Sequence, residues 1–177
     1  MVLSAYKYSH MNQQTIHNLT WTPIFLVGVT ALAFGFIWTL HPEPWLLDQS
    51  PNEALLQTTF QNLFLHDVNK FLPSYLVVIY RLFGLWLITI GLLVLSYVKV
   101  TKLGTKQARF LIHSTLFLTL ISMYYLTFKH LPSSPLTPVL YVFSFLLGLS
   151  IYFSSRITES VNMWIFYAVS VLNLVCY

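Results

Sequence analysis

The sequence predicts an all-α membrane protein, a polytopic bundle of four transmembrane helices with a candidate fifth and one amphipathic interfacial helix. Three observations lead there. Residues 75–98 read YLVVIYRLFGLWLITIGLLVLSYV, an apolar run broken by a single charge, Arg81. At about 1.5 Å rise per residue that helix is roughly 36 Å long, enough to cross the hydrocarbon core with some tilt. Further apolar stretches flank it at 21–40, 110–128 and 137–153. Finally, 8% of the residues are charged and mean hydropathy is +0.69, whereas soluble domains carry about 25% charged residues. Such a chain could not cover its surface in water, and residues 1–177 read as one membrane domain.

The net charge is +4, but the charges fall in loops between apolar runs. The basic balance therefore reports topology and not nucleic-acid binding. The single cysteine, Cys176, excludes an intrachain disulfide, a CxxC redox centre and a cysteine-based zinc site. Residues 1–20 lack the apolar core and small-residue cleavage site of a signal peptide, and are expected to form a retained polar arm. Asn18-Leu-Thr20 matches the glycosylation sequon but abuts the first span on the side assigned to the cytoplasm, so its use is not expected.

The first span, 21–40, carries Trp21 and Trp38 near its ends, where indole rings favour the membrane interface. Gly28, Ala31 and Gly35 share one of its faces and would let a neighbouring helix approach closely. Pro42 and Pro44 stop the helix. A new start is expected at Ser50, with Pro51 at the first helical position and Glu53 three residues after the cap. From there Leu56, Phe60, Leu63, Phe64 and Phe71 oppose Gln57, Gln61, Asn69 and Lys70, which predicts one amphipathic helix over 51–72 lying flat at the interface. The link 41–73 that contains it is unusually long, and is the first candidate for a partner-binding element.

The second span, 75–98, places Gly84 and Gly91 seven residues apart. A basic loop at 99–109 leads to the third span, 110–128, whose Ser114, Thr115, Thr119 and Ser122 are expected to bond their own helix backbone. Prolines 132, 135 and 138 keep the next connection tight before the fourth span at 137–153. Residues 161–177 are apolar but short, a possible fifth span or a partly buried tail. Six basic residues (Lys7, Lys99, Lys102, Lys106, Arg109 and Arg156) lie on one side and two (Lys70 and Lys129) on the other. That asymmetry places the N-terminus in the cytoplasm and the acidic link outside, in a multi-pass topology suited to a bacterial inner membrane.

Pro42-Glu43 closing the first span, Arg81-Leu-Phe-Gly84 and Gly91-Leu-Leu93 in the second, and two further spans resemble the DoxX-like group of small four-helix membrane proteins over roughly residues 21–155. The resemblance implies a four-helix fold. It also implies a link to quinone-linked respiratory enzymes, with which some members are associated.

Chemistry-bearing residues are sparse. Arg81, inside a span, needs an anion, and Glu43, Asp48 and Asp67 lie on its side; Asp67, shortly before Pro73, is the expected partner in a clamp between link and bundle. His41, His66 and His130 fall on the same side as Asp67 and Glu43, but without a tight HxxxH pair, and no metal site is expected. His113 is the one histidine inside a span, with no second histidine at its depth to hold a haem. There is no phosphate-cradling glycine loop, nucleophile elbow or mid-span carboxylate. No catalytic residue and no resident cofactor are expected, and the candidate interaction residues are Arg81, Asp67, Gly28, Gly35, Gly84 and Gly91. The leading expectation is a non-catalytic accessory or scaffolding subunit of a larger membrane complex, in contact with membrane lipids. The alternatives are a binder or carrier of a hydrophobic molecule such as a quinone or lipid, and an enzyme acting on one.

Overall fold

A computed structural model describes residues 12–131 and 134–157. Most of the N-terminal arm and the candidate fifth span at 161–177, with Cys176, lie outside the described residues. The described fold is all-α: α1 (Gln13–Leu40), α2 (Gln49–Leu56), α3 (Phe60–Leu65), α4 (Leu72–Thr101), α5 (Lys106–His130) and α6 (Leu136–Ser154), with short 3-10 helices at Pro44–Asp48 and Asp67–Asn69. Four of these, α1, α4, α5 and α6, are long and apolar enough to cross a membrane.

Their ends follow local chemistry. Helix α1 starts eight residues before the expected boundary, because the Asn12 side chain accepts a hydrogen bond from the Gln14 amide at 3.1 Å. It stops at His41, whose extended backbone (φ −62°, ψ 133°) is the conformation that a following proline imposes. Thr105 caps α5 by accepting from the Ala108 amide. The expected basic loop of 99–109 contracts to residues 102–105, with Lys99 in the last turn of α4 and Lys106 and Arg109 in the first of α5. In that turn Lys102 and Leu103 both take left-handed backbone conformations (φ 48° and 53°). Such positions disfavour side chains with a Cβ, but here the Leu103 side chain is fully buried against Val98 and Ile112. That burial offsets the local strain.

The link corrects the expectation of one continuous helix over 51–72. Helix α2 begins at Gln49, one residue ahead of Ser50, so Ser50 is not the cap; Asp48 holds that position without a side-chain cap bond. Glu53 does not reach back to the cap either. Its Oε1 accepts from the Gln49 side chain and from the Phe60 amide, both at 2.9 Å, and so ties the end of one short helix to the start of the next. Gln57, left-handed at φ 53°, ends α2, and Thr59 starts α3 by capping the Asn62 amide. The supposed apolar stripe is discontinuous: Phe60 is buried, while Leu56 and Phe71 are exposed.

The four long helices pack in the order α4, α1, α6, α5, with α1 against both α4 and α6 and α5 against α6. Helices α4 and α5 converge only near their short connection. There Ile24, Val94, Val98, Leu103, Ile112 and Leu147 form the buried core, and the Tyr97 hydroxyl donates to the Ala108 carbonyl at 3.0 Å. The molecule thus has a basic end, at the α4–α5 connection, and a link end, where residues 41–71 cover the opposite ends of α1 and α4.

Candidate functional site

The four glycines singled out in the sequence come together along the antiparallel α1–α4 contact. A Cβ added to Gly84 would lie 2.8 Å from the Gly35 carbonyl oxygen and 2.8 Å from the Thr39 amide nitrogen. One on Gly91 would sit 2.7 Å from the Leu32 nitrogen, and one on Gly35 would sit 2.7 Å from the Ile88 nitrogen. Gly28 is closed off less tightly, by the side chains of Leu95 and Val94. The two backbones touch at the Gly35–Gly84 and Gly28–Gly91 levels, and only residues without a side chain permit that approach. Gly148 on α6 is the contrast, with nothing within 4 Å of its added Cβ.

At the link end two hydrogen bonds, Asn52 to Tyr80 and Ser134 to Asp48, hold the link to the bundle, and aromatic contacts join α1 to α4 and the parts of the link to one another. Trp38 stacks on Tyr80 with ring centroids 5.1 Å apart and meets Phe83 edge-on. Asn52 Nδ2 donates to the Tyr80 hydroxyl at 2.8 Å and to the Asp48 carbonyl at 2.6 Å. Buried Trp45 meets Phe64 edge-on, and Phe64 stacks on Phe60. Ser134, just before α6, donates to Asp48 Oδ1 at 3.5 Å, the long limit of a hydrogen bond. Burial pushes the Asp48 carboxyl above its ordinary pKa, with the Ser134 bond opposing. Glu53 is held below its ordinary value by the Gln49 side chain and the Phe60 amide. Beside these groups an open cleft of about 540 Å³ is lined by Leu46, Leu47, Asp48, Ser50, Glu53 and Pro135, among others.

Nearer the basic end, a buried polar chain joins three helices. Ser150 on α6 donates to the Thr20 carbonyl on α1 at 2.6 Å. Its single proton is then committed, so His113 Nε2 on α5, 2.8 Å away, must be the donor to Ser150. Thr20 and Ser150 are both fully buried. Pro23, inside α1, has no N–H for the Leu19 carbonyl, so this segment of α1 departs from a regular bonding ladder at the level where Ser150 inserts. Arg109, read from sequence as a loop cation, is 4% exposed and donates to the carbonyls of Leu103 and Gly104, both at 3.1 Å. It closes the carbonyls of the tight turn. A second stitch, nearer the link end, runs from the Tyr124 hydroxyl on α5 to Ser144 on α6 at 2.9 Å. Sequence reasoning missed these stitches, because Ser144 and Ser150 look like any serine in an apolar helix. Thr115, Thr119 and Ser122, as expected, bond the carbonyls one turn back, whereas Ser114 makes no such bond.

The expected Arg81–Asp67 clamp is not formed: both residues are exposed, and no ion pair joins them. Asp67 opens a separate 3-10 turn. Arg81 lies three residues before Gly84, a rotation of about 60° that carries it off the packed glycine face onto the flank of the helix. Gly84 is buried and Arg81 is not. An unpaired arginine at a helix centre costs roughly 2.5–3.5 kcal/mol on insertion scales, less near an interface. His41 is used locally, its Nδ1 accepting from the Glu43 amide, and His130 lies in the last turn of α5. Among the described residues no three histidine, cysteine, aspartate or glutamate side chains are grouped to hold a metal. No protein-family model, curated protein or solved structure matches the chain.

Proposed function

We propose that the chain is a non-catalytic accessory or scaffolding subunit of a larger membrane protein complex, set in a bacterial inner membrane with its N-terminus in the cytoplasm. One observation carries this reading. The polar side chains join helix to helix, His113 to Ser150 to Thr20 and Tyr124 to Ser144 between the long helices and Asn52 to Tyr80 from the link. That is the chemistry of a rigid element. The resemblance to the DoxX-like group is part of the same proposal, and would place the partner among quinone-linked respiratory enzymes. Purification in mild detergent tests it: a stoichiometric larger partner is expected, and a lone monomer carrying bound quinone would contradict it. Cysteines at Gln57 and Thr105 should label from opposite sides of sealed cells, and labelling from one side would remove the topology.

The cleft at the link end favours a second reading, a binder of a small hydrophobic molecule. Its lining combines Leu46, Leu47 and Pro135 with the polar groups of Asp48, Ser50 and Glu53, the mixture that such ligand sites use.

A further inference from the structure

Among the described residues Arg81 has no counter-charge. Its guanidinium makes no hydrogen bond or ion pair with any described residue, and the same is true of the Ser74 hydroxyl. The link carboxylates are otherwise placed: Asp48 faces Ser134, Glu53 holds Gln49 and the Phe60 amide, and Glu43 and Asp67 are exposed with no ion pair to Arg81. The neutralising anion must therefore come from outside the described chain.

Depth decides which anion. Helix α4 has 30 residues, so at about 1.5 Å per residue it is roughly 45 Å long against a hydrocarbon core of about 30 Å. Centred in the membrane, it leaves about 7 Å beyond the core at each end. Arg81 lies nine residues after Leu72, which puts its Cα about 6 Å below the hydrocarbon boundary on the link side. An arginine at that depth extends its stem along the helix and brings its head to the phosphate level. Ser74 lies two turns nearer the link end on the same stripe, and exposed Lys70 follows just beyond the first turn. Guanidinium, hydroxyl and ammonium are all donors, and they rise in a line toward the headgroup region with no acidic residue interleaved on that stripe. A carboxylate would reach the head at that level only on a partner seated against this flank, whereas a phospholipid phosphate already stands where the side chain ends.

We propose that Arg81, with Ser74 and Lys70 above it, forms a docking site on the outer flank of α4 for the phosphate of a phospholipid in the leaflet on the link side. The guanidinium fork suits two phosphate oxygens at once, and Leu85 and Val78, exposed beside it, would lie along the acyl chains. The site is on the flank and not on the glycine seam, so its occupancy does not alter the bundle's own packing.

The full chain, stripped of lipid in detergent, tests this by thermal unfolding with added dioleoylphosphatidylglycerol, dioleoylphosphatidylcholine, dioleoylglycerol or inorganic phosphate. Both phospholipids should raise the unfolding temperature, and neither dioleoylglycerol nor inorganic phosphate should. Arg81→Leu should weaken the apparent phospholipid affinity about tenfold, the loss of one charge-assisted contact, while Arg81→Lys keeps most of it. Because Arg81 is exposed, both variants should remain folded without added lipid, and the retained affinity of Arg81→Lys separates charge from misfolding. An equal response of Arg81→Leu and wild type would overturn the site, and an equal response to inorganic phosphate would assign it to a free anion. A photo-cross-linker at Leu85 should capture lipid in native membranes. An Arg81-dependent protein adduct there would give the guanidinium to a partner's carboxylate and also overturn the proposal.

Discussion

Helices α1 and α4 meet backbone to backbone, whereas α5 is held to α6 by side chains: the His113–Ser150 and Tyr124–Ser144 hydrogen bonds and the Tyr124–Tyr141 ring contact. The difference shows in burial. About a third (33%) of the most apolar stretch of α1 is enclosed by the bundle, against 6% of that of α5. In lipid an exposed apolar side chain loses nothing, so association depends on close packing and on polar contacts between helices. The seam uses the first means and α5 the second. A seam made by omitting side chains is intolerant of any added atom, while a contact made by hydrogen bonds fails when one partner is deleted.

The largest effect should come from filling the seam. Gly84→Leu must push aside the Gly35 carbonyl and the Thr39 amide, which are backbone and cannot swing away. A loss of about 3 kcal/mol or more is expected in detergent unfolding, at the upper end of overpacking costs. Gly84→Ala should lose about 1–3 kcal/mol, whereas Gly148→Ala, with open space around it, should be neutral or gain up to about 1 kcal/mol from helix propensity. Equal effects at the two glycines would break the comparison.

Next in size is Ser150→Ala, which leaves the His113 N–H without its acceptor and removes the bond to Thr20. A cost of about 1–3 kcal/mol follows from an unsatisfied buried donor, and faster hydrogen exchange should appear in α5 before α4. Asn52→Leu should cost about 1 kcal/mol and loosen the link around α2, because it deletes the bond to Tyr80. Exchange measured on peptides spanning residues 49–65 would register it.

The smallest effects concern two polar residues of the link. Ser50→Ala should change stability by less than about 0.5 kcal/mol, since Ser50 caps nothing. Asp48 is opposite in sign to an ordinary carboxylate: its pKa is raised in the fold by burial. Its contribution is fully present below the unfolded value and is lost as pH rises through the folded one. Asp48→Asn should therefore be slightly more stable than wild type near neutral pH, by a few tenths of a kcal/mol after solvent screening, with the gain vanishing in acid. Glu53, held low by Gln49 and the Phe60 amide, opposes this trend, since its contribution is present above the unfolded value and is lost as pH falls through the folded one. The Asp48→Asn difference from wild type isolates the Asp48 part.

The spans and the two glycine faces were legible because they are written in long-range patterns: apolar runs, prolines at their ends, and glycines at helical spacing; that the two faces meet each other, and so are not open to a partner, was not. Nor was the link. Its helix-start signal at Ser50-Pro51 and its apolar spacing were both present, yet Gln57 turns left-handed and Thr59 opens a competing cap three residues before Asn62. Two local capping options were available, and tertiary contacts of Trp45, Phe60 and Phe64 accompany the one adopted. The Arg81–Asp67 pairing erred for a related reason. It placed Asp67 in one amphipathic helix over 51–72 that turned into the span at Pro73, whereas α3 ends at His66, in extended backbone, and Asp67 opens the turn that leads into α4. The stitches through Ser144 and Ser150 depend on which helices become neighbours, and no spacing within one helix encodes that.

The central claim, that α1 and α4 form a backbone-tight axis to which α5 is attached through α6, is tested most directly by residue-resolved hydrogen exchange of the intact chain in detergent. The slowest amides should lie around Gly28–Gly35 and Gly84–Gly91, with those of α5 opening at lower free energy and further still in Ser150→Ala. Protection in α5 equal to that at the glycine levels, or unchanged by Ser150→Ala, would contradict it.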